Sequence, residues 1–272
     1  MSLTRAQFER AEALESYQQK LGQLARMSSG ALRALLEGDS QDAAEWVRCA
    51  AECGLPAARV RLGRMLLEGA GVPRDAAAAL QWFARAAAQR DPEALNMVGR
   101  CYENGWGAAV DLEQAAASYR AAAEGGHDWG QYNFGNLLFD GRGVPADRSQ
   151  ALRWYLRAAS QGHARAMNLL ARCLEEGWGC RSSRGEAVYW YGRSAAAGYF
   201  RAQFNYAALL AERGSPAAAA QWFAQAITGG DANMHRAIAA TLTHAVHPAL
   251  RRVRAWALER LAADGEVTSV AG

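Results

Sequence analysis

Residues 141–166 read GRGVPADRSQALRWYLRAASQGHARA, and the string returns in one register along most of the chain. Trp154 steps back by 36 residues at a time to Ser118, Trp82 and Trp46, and forward by 36 to Trp190 and then by 32 to Trp222. The pair Gly141 and Gly143 returns as Gly69 and Gly71, Gly105 and Gly107, and Gly177 and Gly179. Repetition at such a period marks a stacked repeat architecture and outranks any local motif. A phosphate loop would need a lysine after its last glycine, whereas Gly143 is followed by Val144 and Pro145.

Helix punctuation explains the spacing. Seven residues before each tryptophan position stands Asp39, Asp75, Asp111, Asp147, Ser183 or Ser215, and eight after it stands Gly54, Arg90, Gly126, Gly162, Gly198 or Gly230. Asp or Ser ahead of a helix accepts from first-turn N–H groups, and a Glu or Gln three residues on can complete a capping box. Asp111 with Gln114, Asp147 with Gln150 and Ser183 with Glu186 fit the box, and Ser215 is followed by Pro216. Glycine past the last turn supplies a left-handed residue that ends the helix; Arg90 is the exception, and Asp91-Pro92 restarts the chain there. The first helix of each unit, such as Ala94 to Asn104 or Ala166 to Glu176, runs into the Gly-x-Gly loop. Leu62, Gly63 and Leu66, or Phe134, Gly135 and Leu138, form its buried stripe. Gly63, Gly99 and Gly135 admit a close neighbour where later units carry Ala171 and Ala207. No strand pattern competes, so the fold class is all-α.

These units resemble Sel-one-like repeats, the 36-residue relatives of the tetratricopeptide repeat. The resemblance is carried by Leu62-Gly63, by the loop Gly69-Ala70-Gly71-Val72-Pro73-Arg74-Asp75, and by Ala79-Leu80-Gln81-Trp82-Phe83 leading into Ala86-Ala87. It covers about residues 29–234 and weakens in ALRALLEGDSQDAAEW (31–46) and AALLAERGSPAAAAQW (207–222), which lack the Gly-x-Gly-Val insertion. It implies a right-handed superhelical solenoid of stacked antiparallel helix pairs, about six, with capping helices at both ends. It also implies a non-catalytic scaffold or adaptor that serves bacterial protein complexes, or, as the alternative, an accessory subunit or chaperone dedicated to one enzyme or secreted client.

The organisation expected is a capping helix over residues 1–28, repeats over 29–234, capping helices over 235–264 and a flexible tail over 265–272. The first cap opens on the box Thr4 to Gln7 and spaces Phe8, Ala11, Leu14, Leu21 and Leu24 helically, and the last is broken at His247-Pro248. No run of eighteen apolar residues occurs and charges interrupt the first twenty positions, so neither a membrane span nor a signal peptide is read, and a cytoplasmic location is expected unless a leader has been removed. Some exported members of the family that the chain resembles staple each hairpin with a cysteine pair. Here Cys49, Cys53, Cys101, Cys173 and Cys180 are odd in number and do not pair once per unit, so Cys101 and Cys173, in one register, read as core fillers.

The repertoire of catalytic motifs is missing: no Gly-x-Ser-x-Gly elbow, no His-Glu-x-x-His helix and no Cys-x-x-Cys pair occurs. His244 with His247, and Cys49 with Cys53, lack a third ligand nearby, so no metal and no cofactor is expected. His127 and His163 share one register after the glycine, where Asp91, Tyr199 and Asp231 stand in other units, and read as parts of the repeat. A net charge of +3 is mild for a nucleic-acid module, and only Arg251, Arg252, Arg254 and Arg260 around Trp256 form a basic face. All basic residues but Lys20 are arginine, which points to biased composition.

A candidate binding surface follows from the period. In proteins resembling this one, the first helices of successive units line a concave face. Polar side chains on those helices, away from the buried stripe, are Arg61 and Arg64, Asn96 and Arg100, Asn133 and Asn136, Asn168 and Arg172, and Asn205. Guanidinium forks suit carboxylates and amides suit peptide backbone, so the expected ligand is a peptide, acidic or C-terminal. The competing expectation is that these arginines bridge helices through Glu68, Asn104, Asp140 and Glu176. Trp106 and Trp178 sit inside Gly-x-Gly loops where the following valine is reduced to Ala108 and Cys180. Each indole is expected to fold back into that space, with an exposed anchor for a partner as the alternative.

Overall fold

The computed structural model describes residues 41–270, with Gln19, Gly22, Gln23, Arg26, Ser28 and Gly30 as isolated positions ahead of them. The capping helix expected over residues 1–28 and the capping role of Asp39 lie outside the described stretch. Among the described residues there are thirteen α-helices and no strand. They are α1 Gln41–Glu52, α2 Pro56–Glu68, α3 Ala76–Ala87, α4 Pro92–Asn104, α5 Leu112–Glu124, α6 Asp128–Asp140 and α7 Arg148–Ser160. After them come α8 Ala164–Glu176, α9 Arg184–Ala196, α10 Phe200–Glu212, α11 Pro216–Gly229, α12 Ala232–Thr241 and α13 Pro248–Val270. The even-numbered helices from α2 to α10 are the first helices of their units and begin two residues earlier than the sequence predicts, at Pro92 and Ala164 for example.

Backbone contacts divide the chain into two compact units. One reaches to Leu137 and includes Gly141–Pro145; the other comprises Leu138–Asp140 and the chain from Ala146 onward. In the first unit, α2 packs on α3 and α4 on α5 as antiparallel hairpins. Its core joins Val47, Leu62, Met65, Phe83, Met97 and Cys101, all buried. The second unit repeats the hairpin with α8 on α9 and α10 on α11, and closes with α13 lying against both α11 and α12. Phe223, Ile227, Ile238, Leu242, Leu250 and Val253 fill that end.

Small residues set the hairpin spacing. A Cβ on Gly63 would stand 2.4 Å from Phe83 Cε1, and one on Gly99 would stand 2.6 Å from Tyr119 Cδ1, so each glycine is the seat of an aromatic ring. That ring belongs to the residue after the tryptophan position. Phe83, Tyr119, Tyr155, Tyr191 and Phe223 are fully buried, whereas Trp82 is only half-buried and Ser118 can take its place. The Gly-x-Gly loops have a second role. Gly107, at φ +78°, leaves a Cβ position 2.2 Å from the Ala76 carbonyl oxygen, and Gly143 leaves one 2.1 Å from that of Leu112. The second glycine of the loop therefore seats the start of an earlier helix against bare backbone.

Most caps form as expected. The carboxylates of Asp75, Asp111 and Asp147 accept from the N–H groups of Ala78, Gln114 and Gln150. Ser183 departs from its box: its hydroxyl donates to Glu186 Oε1 at 3.0 Å and caps no backbone N–H. Left-handed residues end the second helices at Gly54, Gly126, Gly162 and Gly198, and Arg90 adopts φ +60° in the same register. Gly230 breaks this pattern with φ −96° and ψ 169°, an extended residue that leads into α12. The last helix continues to Val270, so Gly265, where the sequence predicts a tail to begin, is not a helix end.

Candidate functional site

The first helices place their arginines and asparagines by period, and the structure sorts them into three arrangements. In the first unit, Arg61, Arg64 and Arg100 border one cleft of about 440 Å³ between α2 and α4. Glu68 of α2, Arg74 of the loop after it and Trp106 of the next loop join them there. Leu67 and Met97 complete the lining with apolar surface. Arg64 Nη2 pairs with Glu93 Oε1 at the start of α4, at 2.5 Å. The bridge expected through Glu68 is thus made by Glu93, because α4 presents its N-terminal turn to Arg64.

Trp106 folds toward the core. It packs, half-buried, against the same cluster that Val72 reaches from the preceding loop, and the Arg100 guanidinium lies over its ring at 5.1 Å. In the second unit the pattern recurs 72 residues on: Arg172 lies over Trp178 at 4.9 Å, and Phe139 meets the same indole at 5.4 Å. Cation–π contact of this kind holds the guanidinium plane against the ring and leaves its edge for other acceptors. The expected bridging role of Asn104 is not made: its side chain donates to the Arg100 backbone oxygen at 2.8 Å.

The asparagines form a different feature. Asn133 Nδ2 donates to Asn96 Oδ1 at 2.9 Å within the first unit, and Asn205 Nδ2 donates to Asn168 Oδ1 at 3.0 Å within the second. Asn96 and Asn168 are buried, so these two serve as acceptors between neighbouring first helices rather than as open ligand contacts. A buried amide without a partner would cost about 1–3 kcal/mol, which is why the pairing recurs. Asn136 is half-buried in the first unit. Glu103 ties helix to loop, accepting from the Tyr119 hydroxyl at 2.8 Å and pairing with Arg142 at 3.0 Å. Glu175 accepts in the same way from Tyr191, at 2.9 Å.

Several titratable groups outside the cleft have structural partners. Burial pushes the Cys101 thiol up to about 11 and the Cys173 thiol up to about 12, which keeps both protonated. His127 and His163 cap α6 and α8, each Nδ1 accepting a backbone N–H three residues on at 3.1 Å. Asp91 and Asp231 do the same for α4 and α12. Among the described residues no group of three or more His, Cys, Asp or Glu is arranged to hold a metal ion, and no helix is long and apolar enough to cross a membrane.

The sequence period found Arg61, Arg64 and Arg100. It missed Arg74 and Glu93, whose part depends on which loop and which helix end meet the cleft. Arg74 sits in the loop string itself, but its counterparts are Val110, Ala146 and Ser182, so repetition carried no signal for it.

Known proteins place these hairpins. The chain is similar to c5321, a protective antigen of uropathogenic Escherichia coli strains with an SLR fold, at 27% identity and a TM-score of 0.69. The match covers 84% of this chain, which spans about half, 50%, of that protein. It is also similar to a Sel1 repeat protein from Oxalobacter formigenes at 28% identity and a TM-score of 0.63, covering 68% of this chain and 76% of the other. The immunity protein PA5088 from Pseudomonas aeruginosa, at 17% identity, a TM-score of 0.50 and coverages of 77% and 82%, shares the fold alone. No curated protein matches the sequence. The Sel1 repeat model matches residues 19–55, 56–91, 92–127, 130–163, 164–199 and 201–231, well over half of the chain. With the unit matched in six segments that span well over half of its length, the chain belongs to the Sel1 repeat family, whose members are generally protein-interaction scaffolds.

Proposed function

We propose that the protein is a non-catalytic scaffold that holds a protein or peptide client against the first helices of its units, within the cytoplasm. The observation that supports this reading is the cleft between α2 and α4, where side chains from two successive first helices and their loops face one space of about 440 Å³. Such a volume lies in the ordinary range for ligand sites, about 300–1,000 Å³. Its arginines favour a client segment that is acidic or ends in a carboxylate. A photo-reactive amino acid placed at Arg172, on a first helix, or at Arg153, exposed on a second helix, tests the proposal in the producing cells. The same client should cross-link from position 172 and not from 153. Equal labelling from both positions, or from neither, would reject the first-helix surface.

A further inference from the structure

Four guanidinium groups border the α2/α4 cleft, and a single carboxylate, Glu68, accompanies them in the lining. Repetition does not account for this excess. The positions of Arg61, Arg64 and Arg74 become Met97, Arg100 and Val110 in the next unit, and Asn133, Asn136 and Ala146 in the one after. Among the described residues, α2 and α4 bring three arginines of one unit to a fourth from the next.

The rest of the lining is apolar: Leu67, the buried Met97 and the half-buried Trp106. We infer that this cleft is a subsite for an internal acidic peptide segment in which a bulky apolar residue is flanked by carboxylates. The inference rests on the scaffold reading and names its ligand. The apolar residue lies on Leu67, Met97 and Trp106, where water gains little, and the flanking carboxylates reach the arginines. One carboxylate is not enough. Glu93 engages Arg64 and Glu68 shares the space, so the protein itself sets two carboxylates against four guanidinium groups. An occupant with two carboxylates brings the count level, and one with a single carboxylate does not.

Fluorescence anisotropy with a labelled, C-terminally amidated peptide, Gly-Glu-Asp-Phe-Glu-Asp-Gly, tests this on the full chain. Binding should weaken at least tenfold when the acids are replaced by their amides, and at least threefold when the phenylalanine becomes alanine. Arg74 is exposed on its loop, so Arg74→Glu should leave the melting curve in place while weakening the peptide at least tenfold. Arg61→Gln should act in the same direction. Equal binding of the acid and amide peptides, or full affinity in folded Arg74→Glu, overturns the inference. So does binding confined to a free C-terminal carboxylate, a phosphopeptide or a single-stranded oligonucleotide. If the peptide fails while the position-172 cross-link persists, the cleft assignment falls and the scaffold stands; the reverse pattern removes the scaffold and keeps the cleft.

Discussion

A methyl group on Gly63 would overlap the Phe83 ring at 2.4 Å, so Gly63→Ala pits a helix-propensity gain of about 1 kcal/mol against an overpacking cost of about 1–3 kcal/mol. The clash is with a fully buried ring that cannot swing to solvent, so net destabilisation is expected in urea unfolding. A variant as stable as the parent would show that the ring can move. The neighbouring aromatic pair separates marker from anchor. Phe83→Ala should cost about 3–5 kcal/mol, and Trp82→Ala clearly less, because the half-buried Trp82 shares its exposed side with the Arg85 guanidinium at 4.5 Å. The sequence marked the register through tryptophan because tryptophan is rare. It gave no weight to the following residue, Val47, Phe83, Tyr119, Tyr155, Tyr191 or Phe223, which is buried in every one of these units. Thiols follow the same logic. With Cys101 and Cys173 held near 11 and 12, only about one thiol in a thousand or fewer is ionised at pH 8. Iodoacetamide should therefore label the exposed Cys53 long before either, and comparable rates would contradict their burial.

At the start of α6 the cap is a neutral imidazole, and that makes the helix sensitive to acid. His127 Nδ1 can accept the Gly130 N–H only while it carries no proton. Burial is the main influence and lowers its affinity for the proton below the ordinary 6.5; Asp128, Glu93 and Asp91 oppose this, and Arg64 adds to it. The unfolded chain consequently takes up the proton first as pH falls, so the stability this cap contributes is present above about pH 6.5 and declines below it. The urea midpoint should drop between pH 7 and 5. It should drop less in His127→Asp, because a carboxylate performs the same task for α4 and α12. Identical pH profiles for parent and variant would remove the histidine from the account. The register after each glycine was legible from sequence as a recurring place for His, Asp or Tyr, but its job was not, since capping by histidine has no compositional signal. The loops were half legible in the same sense. Their first glycine ends a helix in the left-handed region, as the spacing implied, whereas the seat of Gly107 on the Ala76 carbonyl joins residues 31 apart and exists only once hairpins stack. The cleft shares that limit: Arg64 and Arg100 follow from period, while Arg74 and Glu93 enter through lateral neighbours.

Where the period is unbroken the architecture could be read from sequence, and where it fades the reading failed for a physical reason. The C-terminal end is not another copy of the hairpin, because α13 lies across both α11 and α12, and Gly230 is extended to begin that turn. Caps answer to the apolar face they must cover, which a repeat pattern does not describe. The five cysteines are free thiols, and the cores consist of apolar contacts between adjacent helices. Melting in reductant or chelator should match melting without them, and a drop of many degrees would point to a cross-link or a bound ion. Stability held by nearest neighbours has a sharper consequence for how damage spreads. Phe83 packs in the cluster that joins α1 to α4, while Phe223 anchors the separate cluster of α10 to α13. In a stack of quasi-independent units, truncating one ring weakens the helices that touch it and leaves remote ones nearly as protected as before. Native-state hydrogen exchange of Phe83→Ala should accordingly show faster exchange in α2 to α4 with α11 and α12 close to parent rates, and Phe223→Ala should show the opposite map. Uniform acceleration along the chain in either variant would mean that the protein unfolds as one cooperative block, and that its stability is not a sum of neighbouring contacts.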